Sequence, residues 1–268
     1  MVRKPAVAGY FYPGKSGELR RLIESMVDPK AKREKALAVI SPHAGLIYSG
    51  PVAGAVFSSV ELPDTFLILG PAHRTIRPRF AAASRGSWET PLGVLPIDTE
   101  LAEKIMSRCA SVVKDEGAHS QEHSLEVQLP FIQYFKEAFS FVPICISYQA
   151  DYSELEELGH AVSAAIKEIG RAVLIVASTD MSHYVSQDEA KHKDFLAIGK
   201  ILDLDAAGLY LTVEQEDISM CGFKPVAAAV VAGRDLGASR AVLVKYQTSG
   251  DRTGDFAQVV GYAGLRIA

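Results

Sequence analysis

The chain has 268 residues, of which 48% are hydrophobic and 22% charged, an ordinary globular composition with enough length to bury a sizeable core. Its formal net charge of −4, with no long run of either sign, gives no footprint for a polyanionic backbone and argues against nucleic acid as a partner. The longest apolar run, Ala172 to Ala177, has the length of a buried strand and not of a membrane span. The apolar stretch after Arg3 and Lys4 is interrupted by Gly9 and Pro13, so no signal peptide is expected.

In chain order, Ala36 to Ser41 and Thr65 to Gly70 are short apolar runs stopped by Pro or Gly, and each reads as a fully buried strand. Gly50 to Val60, between them, carries small residues at helical spacing, which makes a β-α-β unit with a parallel pair. Phe80 to Ala83 and Pro91 to Ile97 read as further strands with a turn near Arg85 and Gly86. Helical patterns follow at Thr99 to Val112, Glu122 to Phe135 and Ser153 to Ile169, with the strand Phe141 to Ile146 among them. Ala172 to Ala177 is the next buried strand. After it come a helix over Gln187 to Leu202, shorter helical pieces to about Asp217, and a helix around Pro225 to Gly237. Two closing strands, Arg240 to Gln247 and Ala257 to Ile267, are expected to pair across a turn at Gly250 to Gly254. With no linker and no repeat, the economical architecture is a single domain over residues 1–268: a three-layer α/β/α sandwich with a mostly parallel or mixed central sheet. Ligands of such sheets bind outside the carboxyl ends of the strands.

The histidines cluster where that rule points. His43 follows the first strand in Ser-Pro-His-Ala-Gly, and His73 follows the second in Gly-Pro-Ala-His. Parallel strands lie about 5 Å apart, or about 10 Å with one strand between, and either spacing lets both imidazoles reach one metal ion. His183 follows the Ala172 to Ala177 strand, three residues after Asp180, which is expected to orient it. His123 and Glu126 share a helical face at spacing i, i+3 and are candidates for the pocket wall, as is Tyr48 among the aromatic residues. His160 and His192 sit in amphipathic helices and read as structural or solvated.

Three widely spaced cysteines without a C-x-x-C pair fit a reducing cytoplasm. Cys109 and Cys145 read as buried thiols. Cys221 stands just before a helix beside Lys224, where unpaired N–H groups and a cation favour a thiolate, and it is the best third ligand to His43 and His73. Two imidazoles and a thiolate suit a transition metal, iron or copper foremost and zinc as well.

Six ordered motifs carry a resemblance: Ala8 to Pro13 (Ala-Gly-Tyr-Phe-Tyr-Pro), Pro42 to Gly45 (Pro-His-Ala-Gly), Leu69 to His73 (Leu-Gly-Pro-Ala-His), Glu122 to Glu126 (Glu-His-Ser-Leu-Glu), Ser178 to His183 (Ser-Thr-Asp-Met-Ser-His) and Met220 to Pro225 (Met-Cys-Gly-Phe-Lys-Pro). On them the chain resembles the Memo family, whose bacterial and archaeal members are often labelled AmmeMemoRadiSam system protein B. The resemblance implies a fold like that of class III extradiol dioxygenases, non-haem iron enzymes that split catechol rings. It sets His43 and His73 at their iron-binding histidines, His183 at their acid/base histidine, and Cys221 where they have a metal-binding carboxylate. A thiolate there is softer than a carboxylate and open to oxidation, which argues against ring cleavage. The family label also implies association with AMMECR-type and radical SAM proteins.

Three functions are then open. One is a metal-dependent redox or oxygenase-like protein, with His183 and Asp180 as catalytic groups. Another is a non-catalytic module that recognises a small-molecule or peptide ligand, or a partner protein, through the same pocket. The third is a hydrolase using Cys221 and His183 as nucleophile and base, with no G-x-S-x-G elbow to support it.

Overall fold

The computed structural model describes residues 2–268. In chain order the elements are β1 (Val2–Arg3), α1 (Ser16–Glu24), β2 (Ala38–Ser41), α2 (Leu46–Ser58), β3 (Thr65–Pro71), β4 (Phe80–Ala82), β5 (Ser87–Thr90), β6 (Gly93–Pro96), α3 (Thr99–Arg108) and β7 (Val112–Lys114). They continue with α4 (Leu129–Phe135), β8 (Ser140–Ile146), α5 (Tyr152–Ile169), β9 (Val173–Ser178), β10 (His183–Val185), α6 (Gln187–Leu202), α7 (Ala206–Gln215), α8 (Phe223–Asp235), β11 (Ala241–Thr248), α9 (Gly250–Thr253) and β12 (Val259–Ile267).

One nine-stranded sheet organises the molecule in the order β10-β12-β2-β9-β3-β8-β4-β7, with β11 added on β12. Its centre, β2-β9-β3-β8, is parallel, and β12 and β4 flank it antiparallel, so the sheet is mixed. The two strands that precede His43 and His73 are therefore not neighbours: β9 is inserted between them. Apolar residues on both faces explain why these strands read as continuous runs. In β3, Leu67 and Leu69 join the core under α3, α5 and α8, while Phe66 and Ile68 join the core under α1, α2 and α4. All four are fully buried, each stabilising the fold by about 1.5–3 kcal/mol. No helix among the described residues is long and apolar enough to cross a membrane.

Helix ends follow local chemistry. Asp151 and Glu154 close a capping box at the start of α5, and Gly170 ends that helix at φ 68°, a left-handed conformation that suits glycine. Ser186 Oγ accepts from Glu189 N–H at the start of α6. The closing strands β11 and β12 pair antiparallel, as expected, with α9 in their connection.

Three expectations need correction. The strand expected over Pro91 to Ile97 forms as β6 and the chain bends at Arg85 and Gly86, but β6 is half of a hairpin with β5, a strand not expected, whose turn falls between Thr90 and Gly93. This hairpin pairs with β1 in a separate three-stranded sheet. The helix expected to Val112 ends at Arg108, because Val112 pairs with Phe80 in the main sheet. The helix expected from Glu122 starts only at Leu129: Glu126–Gln128 is a 3₁₀ turn, and the Glu122 side chain accepts the His123 and Ser124 amides that a helix would direct elsewhere.

Between the small sheet and the main one lies His119, 1% exposed and against Trp88, with neither ring nitrogen hydrogen-bonded among the described residues. Burial first, then the nearby Arg3 charge, lowers its pKa to about 4. The unfolded chain, with an ordinary histidine, binds the proton more readily, so this contribution to stability is complete above about pH 6.5 and is lost as pH falls to about 4, amounting to about 3 kcal/mol. Urea denaturation at pH 7 and pH 4.5 should show a smaller acid loss for His119→Phe than for the parent. An equal loss in both proteins would remove His119 as the cause.

Candidate metal centre

The carboxyl ends of β2, β9 and β3 meet at one edge of the sheet, and the loops leaving them carry the polar residues. His43 lies two residues past β2, His73 two past β3, and Asp180 two past β9, while His183 opens β10. Cys221 comes in from the loop before α8, whose first turn accepts Pro225 because no helical N–H partner is needed there. The ring centroids of His43 and His73 are 5.1 Å apart. Cys221 Sγ is 3.4 Å from His43 Nε2, and ligand atoms of His43, His73 and Cys221 all lie within 4.8 Å of one another.

Hydrogen bonds fix which nitrogens face the centre. Ser178 Oγ donates its single proton to the Ser124 carbonyl, so it can only accept from His43 Nδ1 at 2.8 Å. His43 therefore carries its proton on Nδ1 and leaves Nε2 as a lone-pair donor. Gln128 Nε2 also donates to Ser178 Oγ and holds that relay in place. His73 Nδ1 donates to Glu122 Oε1 at 2.9 Å, which likewise frees Nε2. A carboxylate or oxygen acceptor behind each imidazole is the usual support of a metal-binding histidine.

The electrostatics keep His43 and His123 neutral. Burial, with His73 and His123 adding to it, holds His43 well below the ordinary histidine pKa. Burial and, after it, the proximity of the His73 ring lower His123 to about 4. Burial opposes ionisation of Glu122, but hydrogen bonds from His73 and the backbone amides outweigh it and keep the carboxylate ionised far below its usual range. Burial and the neighbouring Asp180 push the Cys221 thiol up. A cation at that position reverses this balance, since a coordinated thiol is deprotonated outright.

Other expected residues fall as follows. His123 stacks on His73 at 4.3 Å between centroids and rests on Phe11 at 4.6 Å, so it walls the pocket. Glu126 does not share that wall: its fully buried carboxylate turns to Arg3, Tyr12 and the Ala6 and Val7 amides. Tyr48 stands in the first turn of α2, five residues past His43, and is partly exposed. Asp180 does not orient His183. Its Oδ1 accepts the His43 and Ala44 amides, while His183 Nδ1 and N–H are held by Ser219 O and Oγ, both at 2.8 Å. Lys224 is not beside the thiol either; its ammonium donates to the Tyr148 and Ala150 carbonyls.

The supporting residues Glu122, Ser178, Gln128 and Ser219 were missed as functional in the sequence, although Glu122 and Ser178 each open one of the six motifs. For Glu122 the expected outcome is concrete. Glu122→Gln leaves all three ligand atoms in place but removes the charged acceptor behind His73, and zinc affinity measured against a chelator should drop about 10–100-fold. Unchanged affinity would refute this supporting role.

Comparison with known proteins finds relatives along the full length of the chain. A family model described as "Memo-like protein" matches residues 3–266. A MEMO1 family protein of Methanopyrus kandleri is 42% identical over 99% of this chain and 98% of its own, and one of Pyrobaculum arsenaticum is 44% identical over 98% of each. One from Aquifex aeolicus is 42% identical over 98% of each. Among solved structures, the uncharacterized protein JW3007 from Escherichia coli K12 aligns with a TM-score of 0.61 at 13% identity, covering 87% of this chain and 100% of that one, a likeness of fold alone.

Proposed function

Because the chain belongs to the Memo family, we propose that its pocket is a one-ion centre for iron or copper on His43, His73 and Cys221, serving redox or oxygenase-like chemistry. The observation that carries this is the pair of Nδ1 hydrogen bonds, to Ser178 and Glu122, that leave both Nε2 lone pairs free in a cluster whose ligand atoms lie within 4.8 Å of one another. Two borderline nitrogens and one soft sulfur match those metals and zinc better than they match magnesium or calcium. When bound, such an ion supplies Lewis-acid and one-electron chemistry.

The chain's own residues do the rest. Asp180 holds the His43–Ala44 turn by two amide hydrogen bonds and so sets the position of the first ligand. His183, with Nδ1–H held by the Ser219 carbonyl, presents Nε2 as a base that takes a proton from a bound substrate and returns it. Phe11 and His123 limit water at the opposite wall.

The test is oxygen uptake by iron- or copper-loaded protein with catechols and small phenols. His183→Ala should retain the ion on His43, His73 and Cys221 and lose about 10²–10⁴-fold in turnover, the usual span for a general base. Loss of that ion together with turnover would remove the proton-transfer role. A second reading, a non-catalytic module for a peptide or partner protein, is favoured by Tyr10 and Tyr184, which are 87% and 73% exposed. It predicts uptake no greater than that of the free ion and a ligand affinity that falls when either tyrosine is replaced.

A further inference from the structure

A second cleft lies beside His119, apart from the metal centre. The N-terminal residues from Arg3 to Ala6, the bend at Arg85 and Gly86, and the 3₁₀ turn Gly117–His119 enclose about 590 Å³, an ordinary volume for a small-molecule pocket. None of the lining residues is a ligand of the proposed ion or a support of one.

The charges around this cleft divide into engaged and free. Arg3 is engaged within the protein: its Nε donates to the His119 carbonyl, Nη1 to Glu126 and Nη2 to the Glu122 carbonyl. Lys4 pairs with Glu89. Arg85 and Glu116 line the same cleft at exposed positions, and neither side chain has an ion pair or a hydrogen bond among the described residues. One free cation and one free anion match the two charges of a zwitterion, the guanidinium by a bidentate bond to a carboxylate.

Deeper in the wall, His119 is 1% exposed and neither ring nitrogen has a partner. A buried donor left unsatisfied costs about 1–3 kcal/mol, so the ring gains from any group that reaches it. A neutral imidazole offers one N–H and one lone pair, and a hydroxyl or a primary amide answers both from a single group. Burial and the Arg3 charge keep this histidine neutral, and the same charge repels a cationic tail. An anionic tail would give up its water for one imidazole N–H. The turn that carries the ring is closed by i→i+3 backbone bonds of 3.3 and 3.1 Å, a weak geometry, so a slight opening uncovers the nitrogens.

We propose that this cleft binds a free polar α-amino acid, with Arg85 on its carboxylate, Glu116 on its ammonium, and His119 on the neutral amide or hydroxyl of its side chain.

Trp88 is the only tryptophan in the chain and its ring lies 5.5 Å from that of His119, so its emission reports occupancy. The probes are L-glutamine and L-serine, titrated into the full chain and followed by emission and by calorimetry. At least one should bind with a Kd of about 1 mM or tighter. Its N-acetylated form, which lacks the ammonium, and L-norvaline, which lacks the polar tail, should each bind at least about 10-fold more weakly. Arg85→Ala and Glu116→Gln, both at exposed positions, should each weaken the bound probe by about 10-fold or more. His119→Phe should remove the preference over norvaline while keeping the need for both charges. No binding of either probe at about 10 mM overturns the proposal. So does unchanged affinity in both rim variants, or an N-acetylated form that binds as well as the free amino acid. If His119→Phe fails to fold, the comparison with norvaline in the parent protein decides that contact.

Discussion

Replacing His73 by alanine should lower zinc, iron or copper affinity by more than about 100-fold, because removing a ligand costs more than the 10–100-fold lost with a supporting group. His73 is the cleaner of the two histidines to test. Its side chain is 34% exposed, so water fills the space left by the ring, whereas His43 is 1% exposed and its removal leaves a cavity under the β2 turn. His43→Ala should abolish binding as well, with some loss of stability added. Chelator competition on both variants, with denaturation curves run beside it, separates the two effects. Parent-like affinity in His73→Ala would end the assignment of this centre.

The second large effect concerns stability, and it begins at the N-terminal segment. Arg3 pairs with Glu126 at 2.6 Å, with side chains 11% and 0% exposed, and its guanidinium lies 4.1 Å over the Trp88 ring. Arg3→Met removes the cation and leaves a buried carboxylate, which typically costs about 3–5 kcal/mol. The Ala6 and Val7 amides and the Tyr12 hydroxyl still bond Glu126, so the loss falls toward the lower end of that range. Adding Glu126→Gln to Arg3→Met should restore part of it, since the uncompensated charge is gone. Urea unfolding gives the numbers, and a change under about 1 kcal/mol for Arg3→Met would refute the argument. The same segment carries Phe11 to His123, so Arg3→Met should also loosen the pocket wall.

The central strands were legible because burial on both faces produces continuous apolar runs; the positions of His43 and His73 followed from where those runs stop, and that of Cys221 from the start of the helix after it. Direction was harder to read. His123 and Glu126 stand at helical spacing, yet the Glu122 side chain captures the local amides, breaks the helix and sends the two side chains apart. Asp180 and His183 are close in sequence, but the loop before α8 brings Ser219 to His183, and Ser219 becomes its partner. Lys224 is near Cys221 along the chain and points across to the carbonyls after β8. In the last two cases a residue far away in sequence supplied a better hydrogen-bond partner than the near one, and a linear pattern does not record that competition.

The insertion of β9 between β2 and β3 also governs when the centre can come into being during synthesis. His43 leans on Ser178 across 135 residues and meets Cys221 across 178. A nascent chain that has released β2 and β3 holds two ligands with no strand to set their spacing, and only the arrival of β9 and α8 brings them into register. Such long-range parallel pairing is slow to form, because the loops must close before any contact rewards them. An ion held by His43, His73 and Cys221 would therefore be captured late, after completion of the sheet.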